Sequence, residues 1–413
     1  MPRSLVALLA LTTGTAVANL YYIQPLLGHV GQEFHVSDGT AGLLVTFTQI
    51  GYLIGLVLLV PLGDLLERRR LLTILLLGAA VVAAGCAGAP SFALLALGLA
   101  VLAGLSALAQ IVVPLASALA APHERGQVVG IVMSGLLLGI LLARTLSGAV
   151  AEIGGWRLSI SLAAVSMLVM CVLLHRALPP SPPTEEIRYR TALASVLALI
   201  REEPVLRQRM VLTACGFGGF SVLWTSAAFL LSGSPYQYSE GVIGLFGLAG
   251  AAGALAAPVA GRIADRGYGR IGMSAFLVAV LASWALLALG SSSVIALIAG
   301  IALLDLGVQG AHISNQATVY LLRPEARSRL TTAYIVAMFL GGIAGSLLSA
   351  TIYSASGWSA VCVLGAAIAL MAIVVWAATW RVGTVQSAAA QPARAGDGVE
   401  HDHAREPAGA TPR

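Results

Sequence analysis

The chain has 413 residues, of which 58% are hydrophobic and only 10% charged, whereas a soluble protein carries roughly 25% charged residues. A mean hydropathy of +0.90 is more apolar surface than one water-soluble core can hide, so the solvent of this chain is lipid. The net charge of +5 comes from arginines in short clusters between apolar runs, without the basic stripe and interleaved aromatics that nucleic acid requires.

A membrane-crossing helix takes about 20 mostly apolar residues. The chain divides into twelve such segments, at 5–27, 40–62, 71–89, 92–120, 127–150, 156–178, 208–231, 241–261, 271–290, 293–321, 330–353 and 358–381. Backbone groups in lipid must be satisfied within the segment, which predicts an all-α membrane protein. Met1–Ala10 could open a secretory leader, but its apolar run continues through Leu26 and reads as a retained first span. Near the end of that span stand Asn19, Tyr21, Tyr22 and Gln24, ahead of Pro25. They form either an aromatic belt at the membrane interface or the roof of a solute site.

The second span carries Gly51 and Gly55, and the fifth carries Gly135 and Gly139. Small residues four apart are seams for close helix approach. Gly341 and Gly345 repeat the pattern in span 11, and Gly253 with Ala257 in span 8. After span 6, Pro179–Pro183 opens a linker over 179–207, in which Leu193, Val196, Leu197 and Ile200 make the stripe of an interfacial helix. It separates a six-helix bundle over 1–178 from another over 208–381. The tail, 382–413, is rich in Ala, Gly, Pro and charge and reads as disordered and solvated, His401 and His403 included. Cys86, Cys171, Cys215 and Cys362 stand singly in apolar runs, so no metal, redox centre or cofactor is expected.

The loops after even-numbered spans hold the arginines, among them Arg68, Arg69, Arg70, Arg125, Arg188, Arg262, Arg266, Arg270 and Arg323; the opposite side has only Arg157. The excess of positive charge puts both termini in the cytoplasm and the chain in a bacterial inner membrane.

An internal repeat is present. Ser37-Asp38-Gly39 before span 2 recurs as Ser239-Glu240-Gly241 before span 8, at an offset of 202 residues. Pro122-x-x-Arg125 recurs as Pro324-x-x-Arg327, and Gly155-Trp156 as Gly357-Trp358, both at the same offset of 202. Three features in register indicate duplication. Six crossings return the chain to its starting side, so the halves are parallel repeats about an axis along the membrane normal.

The segment Gly261-Arg262-Ile263-Ala264-Asp265-Arg266-Gly267-Tyr268-Gly269-Arg270 resembles, with one extra residue, a G-x-L-A-D-R-x-G-R signature of the major facilitator superfamily. Its counterpart after span 2, with Asp64, Arg68 and Arg69, keeps the charges but lacks the glycines. Together these residues suggest a breakable cytoplasmic latch. Gly135-x-x-x-Gly139 is similar to the start of the family's antiporter motif, although Ile140 and Leu141 stand where Gly-Pro would follow. The overall pattern looks closest to the drug:proton antiporter-like and sugar-efflux-like branch. The resemblance implies two rocking halves, alternating access, and a pathway lined by spans 1, 4, 7 and 10. A monomer is expected.

Charges inside spans cost about 2.5–3.5 kcal/mol on insertion scales and default to function. Asp305 lies about 12 residues into span 10, roughly 18 Å deep, and Arg144 about 17 residues into span 5, roughly 26 Å from its cytoplasmic end. Asp305, Gln309, His312 and Gln316 share one helical face, with Asn315 beside it. The stripe reads as a proton site at Asp305 with His312 as relay, or as a structural polar network. Span 4, in register, places Gln110 opposite His312 and Ala103 opposite Asp305; Trp224 of span 7 stands opposite Tyr22. Arg144 is a candidate for an anionic solute group, a carboxylate counter-ion or a gate, or it snorkels to the interface; Glu152 is one candidate partner. The aromatic and amide groups suit a polar-to-amphipathic organic solute. These features predict a secondary-active exporter of a small drug-like or sugar-like solute coupled to proton entry. The alternatives are an importing symporter or facilitator and, more remotely, a membrane-embedded enzyme. No Gly-rich phosphate loop with lysine is present to supply ATP drive.

Overall fold

The computed structural model describes residues 1–121, 123–179, 189–251, 268–323 and 326–380, and among these the regular elements are all helical. Eight helices of the described residues are long and apolar enough to cross a membrane. Two of them, α8 (Arg125–Ala177, 53 residues) and α14 (Arg327–Ala378, 52 residues), would each measure nearly 80 Å if straight. Each instead folds back and crosses twice. The first and eighth spans begin as shorter helices, α1 (Arg3–Ala18) and α11 (Glu240–Leu245). The architecture is therefore the expected all-α one, and its count agrees with twelve crossings.

The reversals in α8 and α14 explain the repeated Gly-Trp pair. Gly155 has φ 72 and ψ 176, and Gly357 has φ 71 and ψ −167. Only glycine occupies that region without strain. The tryptophan after each then fastens the hairpin: Trp156 donates to the Glu33 carboxylate, and Trp358 donates to the Leu287 carbonyl at 2.8 Å. The doubling back of α8 is confirmed where Ser159 donates to the Ser147 carbonyl at 2.8 Å.

Glycine seams hold each half together. Gly135 and Gly139 of α8 lie on the backbone of Ala10 and Gly14 in α1. Gly341 and Gly345 of α14 lie on Ala214 and Gly218 in α10 (Pro204–Ser232). Gly51 and Gly55 of α3 (Asp38–Leu58) lie on Ala100 and Gly104 in α6 (Phe92–Ser106). At each of these positions a Cβ would collide with backbone, which cannot yield.

The two halves meet along two antiparallel helix pairs, α3 with the first arm of α14, and the first arm of α8 with α11. In the first pair Gly39 faces Ser354 and Gly42 faces Ala350; in the second Gly241 faces Glu152 and Gly244 faces Gly148. Moving each partner by 202 residues converts one pair of contacts into the other. The duplication seen in the sequence is thus also a two-fold relation in space. Both sets of contacts close the face opposite the termini, where Glu152 also accepts from Ser239, and His29 Nδ1 meets Glu240 Oε1 at 2.9 Å.

In the linker, α9 (Tyr189–Glu202) brings Leu199, Val196 and Ile200 against Leu206, Leu330 and Tyr334 of the second half. The tail 382–413 lies outside the described residues, as do Gly261, Asp265 and Arg266 and the seam positions Gly253 and Ala257.

Candidate functional site

Regular helix is interrupted at three places around one point. Span 1 leaves α-helix after Ala18, passes through i→i+3 turns at Leu20 and Tyr21, and resumes as 3-10 helix over Gln24–Leu26. Span 4 breaks between α6 and α7 (Ala109–Leu119), again with i→i+3 bonds at Ala107 and Leu108. Asn19 and Ser106 tie these two breaks together with a 2.9 Å hydrogen bond. Span 8 turns from α11 into 3-10 helix over Phe246–Ala251. Irregular backbone at membrane depth is tolerated where it is buried in protein or lines a cavity.

Arg144 occupies this point, 3% exposed. Its Nε donates to Gln24 Oε1 at 2.7 Å. The guanidinium lies 4.0 Å from the ring centre of Trp224, 4.7 Å from that of Tyr21 and 5.4 Å from that of Phe220. A desolvated cation among three ring faces is held by quadrupole attraction as well as by its hydrogen bond. Gln24 is the partner that the sequence could not supply; Glu152 is engaged with Ser239 instead. Arg144 also does not snorkel, and it stands at the level of Asp305. Ten residues separate it from Gly154 and eleven separate Asp305 from Val294, so each is roughly 15 Å from the same face. Ending span 5 at residue 150 sets Arg144 three residues, about 4.5 Å, nearer that face than the helix places it.

Asp305 of α13 (Val294–Leu322) is 5% exposed and comes from the other half. It interacts electrostatically with Arg144 and with the Trp224 indole. It forms no ion pair with Arg144, and Asp305 Oδ1 and Arg144 Nη2 are buried without a hydrogen-bond partner. Gly250 makes room for the carboxylate: a Cβ there would collide with Asp305 Oδ2. Two unsatisfied polar atoms of opposite charge thus face the site from the two halves, each carrying a desolvation cost of about 1–3 kcal/mol or more.

The next layer toward the termini is aromatic and amide. Phe220 stacks on Phe217 at 5.4 Å, Phe217 meets Phe339 at 5.2 Å, and Phe339 meets Tyr52 at 4.7 Å. Gln110 Nε2 donates to the Tyr52 hydroxyl at 3.3 Å, and Gln49 Nε2 to Ser221 Oγ at 3.0 Å. Tyr22 is half-buried beside the site. Sequence reasoning passed over Tyr52, Gln49 and Phe220. Gln49, a lone amide in an apolar span, was the available signal.

The stripe on α13 divides. Asp305 faces the centre, whereas His312 Nδ1 meets the Tyr334 hydroxyl at 2.9 Å, with no hydrogen bond joining the two. Asn315 is fully buried and its Oδ1 accepts from Arg209 Nη1 at 3.1 Å; Gln309 and Gln316 are half-buried. Arg209, 7% exposed and 5.0 Å from the Trp376 ring, is a second buried arginine. It was hidden by lying one residue inside the assigned start of span 7. On the termini side, Arg68 Nε donates to the Gly63 carbonyl at 2.8 Å and Arg270 lies 5.5 Å from the Trp380 ring. Arg69 is half-buried, and the Asp64 side chain, like Gly261, Asp265 and Arg266, lies outside the described residues.

The profile of the Major Facilitator Superfamily matches residues 9–322 and 254–409. Transporter YgaY of Escherichia coli O157:H7 is 48% identical over 378 residues, covering 92% of this chain and 95% of that protein. Transporter SCO4007 of Streptomyces coelicolor is 32% identical over 367 residues, covering 88% and 85%. Among solved structures, a bacterial homolog of the human lysosomal transporter Spinster, inward-facing and occupied, superposes with a TM-score of 0.71 at 15% identity, covering 92% and 96%. A D-xylose-proton symporter gives 0.70 at 17% identity, covering 90% and 96%. At these identities the structural likeness speaks for the fold alone.

Proposed function

The chain belongs to the major facilitator superfamily and is a multi-pass membrane transporter, and from that premise we propose that it is a secondary-active exporter of a small organic solute driven by proton antiport. The observation that carries the reading is the electrostatic coupling of Asp305 and Arg144, one buried charge from each half, with an unpartnered atom on each. A carboxylate there can hold a proton or a solute group but not both, and competition for one acceptor is the simplest route to exchange. Rocking of the halves along the two antiparallel pairs would expose this point to each side in turn. The contacts that close the face opposite the termini fit a state open toward the termini. The arginine asymmetry of the loops supports cytoplasmic termini, and the protein would work as a monomer in the inner membrane. The arginines of the latch, Arg68, Arg69, Arg266 and Arg270, with Asp64 and Asp265, would then gate the cytoplasmic side. His312, bonded to Tyr334, would act in the inner part of the pathway.

Purified protein in proteoliposomes with an internal pH dye tests this. Sugars, amino acids and lipophilic cations are added in turn to wild type and to Asp305→Asn. Solute-evoked proton flux that is lost in the variant supports antiport, and its sign gives the direction. Solute movement with no proton flux in wild type makes the protein a facilitator and Asp305 a structural residue.

A further inference from the structure

The site carries more chemical information than the presence of two charges. Arg144 is fixed in place by Gln24 and by the faces of Trp224, Tyr21 and Phe220. Its free Nη2 is therefore a donor in a set position. Asp305 Oδ1 is a free acceptor on the opposite half, held apart from that guanidinium although the two feel each other's charge. The Trp224 indole is directed at Asp305 and helps to hold that carboxylate in place. A solute with only a positive charge would pair with Asp305 and be repelled by Arg144. One with only a negative charge would pair with Arg144 and be repelled by Asp305. Either would leave one buried ion unpartnered and bring net charge into the membrane core, where desolvation is costly. A solute carrying both charges a few Å apart answers both atoms and stays neutral overall. The surrounding rings and the small residues Ala227 and Ala228, which with Gln24, Arg144 and Trp224 border a closed pocket of about 10 Å³, would offer an apolar wall to the rest of the molecule once the halves part.

We propose that the solute is a zwitterion of the amino-acid type with an apolar or aromatic side chain, its carboxylate received by Arg144 and its ammonium by Asp305. The proposal rests on the reading of this point as the solute site and names what that site selects. It also accounts for exchange, since the ammonium and the transported proton compete for the same carboxylate.

Binding to purified wild type is measured by calorimetry with three matched probes: L-phenylalanine, phenethylamine, which lacks the carboxylate, and 3-phenylpropionate, which lacks the ammonium. L-leucine serves as a second zwitterion. L-phenylalanine or L-leucine should bind at least ten-fold more tightly than either singly charged probe. In Arg144→Gln the preference over phenethylamine should disappear, and in Asp305→Asn the preference over 3-phenylpropionate should disappear. The comparison among probes on wild type stands even if a variant fails to fold. A singly charged probe that binds as tightly as both zwitterions overturns the proposal, and so does failure of both zwitterions to bind. If a singly charged solute evokes proton flux in the proteoliposomes while both zwitterions are inert, the substrate class is wrong and the antiport reading stands. If a zwitterion binds and moves without proton flux, the reverse holds.

Discussion

Gln24 and Arg144 are separated by 120 residues and joined by one 2.7 Å hydrogen bond, and that bond sets where the guanidinium points. Gln24→Leu removes the acceptor from a buried charged donor, a loss of about 1–3 kcal/mol. Solute affinity should fall on the order of ten-fold while the protein stays folded, read by calorimetry beside a thermal melt; unchanged affinity would deny Gln24 its positioning role. Gly250→Ala puts a methyl group where Asp305 Oδ2 now lies. It should reduce solute-evoked proton flux several-fold with little change in expression. At the far face, burial works to raise the Glu33 carboxyl, but hydrogen bonds from Trp156 and Arg157 and the Arg157 charge outweigh it and hold it below its ordinary value. A lowered carboxyl contributes stability that is complete above its unfolded value and is lost as pH falls through its folded one. Wild type should therefore out-melt Glu33→Gln at neutral pH, and the gap should close below the usual carboxylate range. Asp305 and Arg144 were legible because a charge in an apolar run stands out. The Gln24 contact was not, because sequence pattern shows which residues are polar, not which helices turn toward each other.

Among whole elements, each of the two long hairpins depends on a glycine with positive φ, Gly155 or Gly357. Gly155→Ala or Gly357→Ala forces an L-residue into a conformation that costs about 1–3 kcal/mol, and each should lower the melting temperature measurably. Equal loss at both would match their equivalence under the repeat. The Gly-Trp pair was visible in the sequence as a recurrence, but its cause, a chain reversal at a left-handed glycine, became visible only with the backbone. The breaks in spans 1, 4 and 8 were hidden for a related reason. Hydropathy counts apolar residues and is blind to whether their hydrogen bonds run i→i+4 or i→i+3.

At the scale of the molecule, twelve crossings and the duplication were readable because lipid leaves the backbone few options and the offset of 202 residues is kept at three places. How the halves face one another was not, since the pairing residues are mostly small and carry no distinctive chemistry. Thr46 Oγ1 and Ser346 Oγ lie 2.9 Å apart across that interface. In Thr46→Cys/Ser346→Cys, oxidation should arrest transport and dithiothreitol restore it; full transport by the cross-linked protein would rule out rocking at this seam. The symmetry is also incomplete in a useful way: Ser346 is the counterpart of Arg144 and Ala103 that of Asp305, so two equivalent positions became one asymmetric centre. The tight turns at Gly154–Gly155 and at Gly357 bear on a different matter. A hairpin that reverses within one or two glycines has no loop to spare, so at those two corners the molecule offers whatever shares that solution little to grip. An epitope tag or protease site inserted there has no slack to occupy and would have to unwind the helix ends to be seen.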